Sequence, residues 1–368
     1  MKTFEEFIVP WVMNSEPYSA KHMDIAWENP EIIRMMSNEN LVPPSKKVVE
    51  AITKASLQGN LYPGSGPELR KKLGEKAGLT GENVVLGNGS TDVINFVIAT
   101  FVAPGDEVII PDPTFSMYKS RVLINGGIPV IIPTHSEYTF DVQNMIKAIT
   151  EKTKLIFLCS PNNPTGTLMR EHHLIEILEQ GVPVFYDEAY YELQDEVITR
   201  AGLIKRYPNL VVNRTFSKAY GLAGFRLGYV LCDERLANYF NRVKIPWNVS
   251  LPTIAAALAQ LEDEADLEYK RKVVIEGRKY IQEEINKLPG IYAYPSQGNF
   301  VLIDAGILYK TALELRDLMV EKGIFIRPMS GAHIGKGFFR VTVGQMEENR
   351  KFIEAFSELV EEINKYKK

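Results

Sequence analysis

The chain has 368 residues, 45% hydrophobic and 24% charged, with a formal net charge of −4. The length exceeds one ordinary core and implies two packed units, and the composition excludes disordered, collagen-like and coiled-coil classes. The acidic balance lacks the basic footprint of a nucleic-acid binder, and no apolar run reaches the roughly 18 residues needed to cross a bilayer.

The opening Met1-Lys2-Thr3-Phe4-Glu5-Glu6 lacks the basic-then-apolar order of a signal peptide. A cytoplasmic protein acting on small molecules, with no membrane or nucleic-acid partner, is therefore expected. Residues 1–40 are irregular and read as an N-terminal arm that wraps the body. Ser45 is placed to cap a helix reaching Leu57, and Pro67 suits the first turn of another ending at Lys76. Apolar runs follow at 84–86, 107–110, 129–132, 155–158, 182–186, 210–212 and 227–231, most of them separated by segments of helical length. Such runs, rich in Val, Ile and Leu and joined by helices, read as parallel strands buried on both faces. Residues 41–282 are thus expected to form a large α/β domain with a mostly parallel doubly wound sheet. A long helical pattern from Thr253 to Leu288 suits a linking helix. Residues 283–368 read as a smaller α+β C-terminal domain, with strands at 299–303, 324–327 and 338–343 and helices near 310–321 and 346–366.

Two cysteines, Cys159 and Cys232, lie within apolar runs and read as buried thiols without chemistry. The adjacent His172 and His173 cannot share a helix face, so no metal site is expected.

In an open α/β sheet, ligands bind outside the carboxyl ends of the strands. After Leu86 comes Gly87-Asn88-Gly89-Ser90-Thr91-Asp92, where glycines and hydroxyls open a helix whose free N–H groups favour a phosphate. A plain helix cap is the simpler reading of that run alone. A dinucleotide cradle would need glycine at position 92, which is Asp92, so the pattern argues against a nicotinamide enzyme. After Ile110, the run Pro111 to Tyr118 offers Phe115 as a stacking face for a planar ring or as a core residue. After Leu158, Asn163 offers a side-chain donor within a turn-forming stretch. After Phe185, Asp187 stands at a buried strand end, where a carboxylate is costly unless paired; a protonated ring nitrogen or a helix cap would answer it. Tyr190 follows three residues on. Last comes Asn213-Arg214-Thr215-Phe216-Ser217-Lys218, with Arg226 eight residues beyond the lysine. An amine flanked by hydroxyls and a cation is the chemistry of a lysine joined as a Schiff base to pyridoxal phosphate.

These elements, with Tyr62-Pro63-Gly64-Ser65-Gly66-Pro67, Ser160 to Gly166, Asp187-Glu188-Ala189-Tyr190, Ser217 to Arg226 and Phe339-Arg340-Val341-Thr342-Val343-Gly344, occur in the order of a known family. The chain resembles the fold-type I, class I/II aminotransferases, and within them the histidinol-phosphate aminotransferases most, over nearly its whole length. The resemblance implies pyridoxal 5'-phosphate as cofactor and catalytic roles for Lys218, Asp187 and Tyr190. Lys218 would hold the cofactor and shuttle a proton, Phe115 would stack on the ring, Asn163 and Tyr190 would bind its oxygen, and Asp187 its nitrogen. Ser90, Thr91, Thr215, Ser217 and Arg226 would hold the phosphate, joined by Tyr62 from the partner subunit of a homodimer with shared active sites. Arg340, Arg327 and Asn40 would face the substrate. The resemblance implies an amino donor and a 2-oxo acid acceptor, with histidinol phosphate and 2-oxoglutarate as the expected pair. An aromatic or other amino-acid aminotransferase, a threonine-phosphate-type decarboxylase and a C–S lyase share the scaffold. The family's Asn-Glu-Asn-Pro segment is altered here, since Ser37-Asn38-Glu39-Asn40 runs into Leu41-Val42-Pro43-Pro44.

Overall fold

The computed structural model describes residues 3–17, 19–329, 331 and 333–365. In chain order its strands are β1 (Ile33–Met35), β2 (Val84–Asn88), β3 (Glu107–Asp112), β4 (Ile128–Pro133), β5 (Thr153–Cys159) and β6 (Val184–Asp187). They continue with β7 (Leu210–Thr215), β8 (Leu227–Leu231), β9 (Tyr292–Ala293), β10 (Phe300–Asp304), β11 (Ile324–Pro328) and β12 (Phe338–Thr342). Strands β2 to β8 build one sheet in the order β2-β8-β7-β6-β5-β3-β4. Only β8 runs against its neighbours there, and the other pairs are parallel. The seven apolar runs of the sequence are its seven strands.

Side chains alternate across a strand, and both faces of this sheet are covered. From β5, Leu155, Phe157 and Cys159 enter a core shared with Phe96 and Val97 of the helix Gly89–Phe101. Ile156 and Leu158 enter the opposite core, shared with Leu174 and Ile177 of the helix Glu171–Leu178. Burial on both sides leaves no place for a polar residue within the run. The parallel strands end on a common rim at Asn88, Asp112, Cys159, Asp187 and Thr215. Antiparallel β8 begins on that rim, because Leu227 faces Asn88 and Gly228 faces Thr215. This reversal is what brings Arg226 among the carboxyl ends.

The second sheet has the order β1-β11-β12-β10-β9, with β1 parallel to β11 and the remaining pairs antiparallel. Its core gathers Ile303, Ile326, Phe339 and Val341 with Leu315 of the helix Ala312–Glu321 and Phe352 of the helix Met346–Lys365.

Two expectations change. The stretch read as an irregular arm contains helices Pro10–Met13 and Lys21–Glu28, and its strand β1 is the edge of the smaller sheet. Three residues are too few to show a period, and the pairing comes from β11. The linking helix is two helices, Leu251–Leu261 and Glu264–Ile285, parted where Asp263 caps the second by accepting from the Asp266 N–H. Asp263 also accepts from the Ser45 hydroxyl at 2.7 Å, so Ser45 precedes its helix without capping it through its side chain. The longer helix joins the two cores: Leu267 packs on the large one, while Ile281 and Ile285 lie in the small one. Among the described residues no helix is long and apolar enough to cross a membrane.

Phe157 is fully buried, stacked on Tyr118 at 4.5 Å and tilted against Phe185 at 5.0 Å. Phe157→Ala should lower the unfolding free energy by about 3–5 kcal/mol, measured by urea denaturation.

Candidate active site

Asp187 closes β6 and is 3% exposed. Its Oδ2 accepts from the Tyr118 hydroxyl at 2.6 Å, and its Oδ1 accepts from Asn213 Nδ2 at 2.7 Å and the Ala189 N–H at 3.0 Å. All three donors are neutral. Burial pushes the carboxyl upward, while the bonds from Tyr118 and Asn213 pull it back towards the anion. The result is a buried, hydrogen-bonded carboxylate at the rim with no ion-paired cation among the described residues, a ready acceptor for a charged N–H.

A second feature of the rim favours negative charge. The helix Gly89–Phe101 opens beside Arg226, and Gly89 has φ +75°. A Cβ there would lie 2.2 Å from Arg226 Nη2, so only glycine lets backbone and guanidinium approach so closely. Gly228 similarly admits the Ser90 N–H, which a Cβ would meet at 2.5 Å. Arg226 Nη1 donates to the Ala223 carbonyl at 2.9 Å and the Ser217 hydroxyl at 3.5 Å. Both partners are neutral, and burial lowers the guanidinium's pKa. Thr215 Oγ1 donates to Ser217 Oγ at 3.0 Å, and Asn213 Nδ2 also reaches Ser90 Oγ at 3.2 Å. Thr91 lies in the same first helical turn. A helix N-terminus, three hydroxyls and an arginine thus share one corner, the donor set of a phosphate site.

Lys218 lies between these features and the N-terminal segment. Its Nζ donates to the carbonyls of Asn38 at 3.0 Å and Ser37 at 3.3 Å. Burial, then Arg340 and Arg226, push the amine down to about 7, opposed by the charges of Glu39 and Asp187. Tyr190 offers its ring to Nζ at 5.6 Å, and its hydroxyl accepts from Asn38 Nδ2 at 3.0 Å. Asn163 Oδ1 accepts from Arg340 Nη1 at 2.5 Å, which leaves the Asn163 amide N–H groups as donors. Arg340 Nη2 donates to the Met36 carbonyl at 2.8 Å. Arg327 sits directly across the β11–β12 ladder from Arg340. Both arginines help lower the pKa of His22, after burial. Phe115 is part-buried and stands edge-on to Tyr118 at 5.5 Å.

The structure therefore gathers Asp187, Asn163, Tyr190, Lys218, Arg226, Ser90, Thr215, Ser217 and Phe115 along one rim, where Arg340 reaches Asn163 from β12 of the smaller sheet. Asn40 is engaged with the chain itself, donating to the Ala219 carbonyl at 3.2 Å and accepting from the Val42 N–H at 3.1 Å. Tyr62 is 80% exposed and stacks on Trp247 at 4.8 Å, beside a cleft of about 510 Å³ lined by Leu61, Pro63, Asn88 and Arg226. Three contributors were not assigned from sequence. Tyr118 ends the run that supplied Phe115, and Asn213 faces Asp187 in the β6–β7 register. Asn38, at φ 53°, belongs to the altered N-terminal motif. The adjacent histidines need a correction: His172 and His173 meet edge-on at 4.1 Å, and with Glu176 their ligand atoms lie within 4.8 Å of one another. They sit in the first turn of their helix, where side chains are not held apart by a preceding turn.

Residues 30–356 match the family model described as aminotransferase class I and II. The chain belongs to that family and is a pyridoxal-phosphate-dependent transaminase. It is 40% identical to the histidinol-phosphate aminotransferase of Methanosarcina mazei, over 88% of this chain and 87% of that one. Histidinol-phosphate aminotransferase 2 of Carboxydothermus hydrogenoformans is also 40% identical, covering 90% and 91% of the two chains. In fold, the chain is similar to the histidinol-phosphate aminotransferase of Sinorhizobium meliloti crystallised with pyridoxal 5'-phosphate, with TM-score 0.88, 24% identity and coverage of 97% and 98%.

The residues present fit that cofactor. The Asp187 carboxylate, buried among neutral donors, suits a protonated ring nitrogen, and the glycine-lined corner at Arg226 suits its phosphate. Gly89→Ala would drive a methyl group into Arg226, and it should weaken pyridoxal phosphate binding by about tenfold or more, read by absorbance titration of the apoprotein. Because the Lys218 amine reacts only when neutral, its modification rate by an amine-directed reagent should rise with pH to a plateau, with its midpoint near 7. A midpoint near that of a solvated lysine would contradict the burial argument.

Proposed function

We propose that the protein is a cytoplasmic, homodimeric histidinol-phosphate aminotransferase, moving the amino group of histidinol phosphate to 2-oxoglutarate. The observation that carries this reading is the pairing of Arg327 with Arg340 across the β11–β12 ladder, beside His22 and with Arg340 close enough to Lys218 to help lower its pKa. Two forked cations suit a phosphate-bearing tail better than a single carboxylate does. Among the described residues Arg327 has no carboxylate within salt-bridge distance, so its charge is left for a ligand. The relatives at 40% identity carry the same name.

Bound pyridoxal phosphate supplies an electron sink for the bond broken at the substrate carbon. Lys218 would hold the cofactor, and its Nζ is the base that would take the proton from the substrate carbon. The lowered pKa, about 7, lets Nζ lose its proton near neutral pH, where an ordinary lysine stays charged. Asp187 would hold the ring N–H and keep it charged. Tyr190 and Asn163 would donate to the ring oxygen, with Asn38 and Arg340 bonded to them and fixing their orientation. Phe115 would supply a stacking face. Ser90, Thr91, Thr215, Ser217 and Arg226 would hold the phosphate, completed by the partner subunit's Tyr62. Support for the second copy comes from the exposed apolar side chains of Leu61 and Trp247, which line the Arg226 cleft, and of Tyr62, stacked on Trp247.

Half-reactions with a panel of amino donors, followed by cofactor absorbance, test the assignment. Histidinol phosphate should convert far faster than histidinol, and Arg327→Ala should raise the KM for the phosphorylated donor by about 10- to 100-fold while sparing histidinol. Equal use of both donors, or release of CO2, would reject it. Borohydride should fix the cofactor to the peptide bearing Lys218. Asp187→Ala should bind cofactor yet lose about 10³-fold or more in rate.

A further inference from the structure

We infer that Lys270 is a positioning residue for Lys218: from the helix that joins the two cores, its ammonium holds the loop on which Lys218 stands. The inference rests on the reading of Lys218 as the lysine that binds the cofactor.

Lys270 has 0% of its surface exposed. A buried ammonium is unfavourable unless all of its donors are met, and here they are. Nζ donates to Asp266 Oδ2 at 2.6 Å, to the Tyr220 carbonyl at 3.1 Å and to Gln260 Oε1 at 3.3 Å. Asp266 lies one turn back on the same helix, and Gln260 on the preceding helix Leu251–Leu261. The third is main chain, two residues beyond Lys218. An apolar side chain could fill the same space, so packing alone does not call for a charge here. What the ammonium adds is a fixed bond to the Tyr220 carbonyl.

The loop it holds is tightly turned. The Gly221 N–H donates to the Lys218 carbonyl at 3.1 Å and the Leu222 N–H to the Phe216 carbonyl at 2.9 Å. Gly221 has φ +68°, and a Cβ there would touch Lys270 Cε and the Val42 carbonyl at 3.3 Å each. The carbonyl before Tyr220, that of Ala219, accepts from Asn40. Two consecutive carbonyls after Lys218 are thus held by separate side chains, Asn40 from the N-terminal segment and Lys270 from the helix Glu264–Ile285. Two such bonds fix the peptide planes that set where Nζ lies. The helix also reaches the small core through Ile281 and Ile285, so the lysine's position is tied to both halves of the molecule.

Three holoenzymes test this: wild type, Lys270→Met, and Asp266→Asn with Lys270→Met. The single variant leaves the part-buried Asp266 without its cation and is prone to unfold, whereas the double variant removes both charges and keeps the test alive. Borohydride labelling of Lys218 in the wild type comes first; if a different residue is labelled, the functional reading fails before this one is tried. In the double variant, with melting temperature close to wild type, the donor half-reaction at saturation should slow by about 10- to 100-fold, with KM within about twofold. Amide hydrogen exchange in the peptide spanning 216–225 should be about tenfold faster, and that of the peptide containing Val184–Asp187 unchanged. A double variant with wild-type rate and wild-type protection of 216–225 would overturn the inference. So would one whose exchange rises equally throughout the chain.

Discussion

A carboxylate buried at the end of a central strand, with only neutral donors in contact, organises this molecule. Asp187 is held by Tyr118, Asn213 and the Ala189 N–H, and each of those donors is itself fixed by the fold. Tyr118 is clamped by stacking on Phe157, Asn213 occupies the facing position on the next strand, and Ala189 follows β6 directly. Asn213 divides its amide between Asp187 and Ser90, so the anion and the cationic corner around Arg226 are set relative to each other by one side chain. The opposed charges of the rim come from different strands, and their spacing is that of the sheet.

The opposite wall of the site belongs to the N-terminal segment. Residues 36–40 accept from Arg340 and Lys218, donate to Tyr190, and are bound in turn by Asn299 Nδ2, which reaches the carbonyls of Asn38 and Glu39 at 3.0 and 3.2 Å. The segment follows β1, the edge strand of the small sheet, so it lies between the two cores and touches catalytic candidates from each. His333 and Asp112 pair at 2.5 Å across the same divide. A site assembled this way is sensitive to the relative placement of the halves, and the buried Lys270 contact extends that dependence to the loop carrying Lys218.

Electrostatics divides the pocket. Near Asp187 the carboxylate favours positive charge, near Arg226 the helix N-terminus, hydroxyls and guanidinium favour an anion, and near Arg327 and Arg340 a second anion is favoured. Lys218 lies within reach of these fields, and burial together with Arg340 and Arg226 lowers the pKa of its amine to about 7. Base strength and anion binding are therefore coupled: cations that would hold the proposed ligand's anions also tune the amine proposed to move its proton.

The seven strands of the large sheet could be read from composition because strands covered on both faces must be apolar without interruption, and the chain has seven such runs. Lys218, Asp187, Asn163 and Arg226 could be picked out for a related reason, since polar groups placed where those runs end need a ligand to explain them. Contacts between residues far apart in the chain were decided by folding alone. Tyr118 and Asn213 reach Asp187 across 69 and 26 positions; Asn38 meets Tyr190 across 152, and Lys270 meets the Tyr220 carbonyl across 50. Strand β1 likewise exists because β11 offers it an open edge. Local spacing records what each segment buries, whereas the partner of a polar atom depends on which strands become neighbours, and that is settled only when the sheets are assembled.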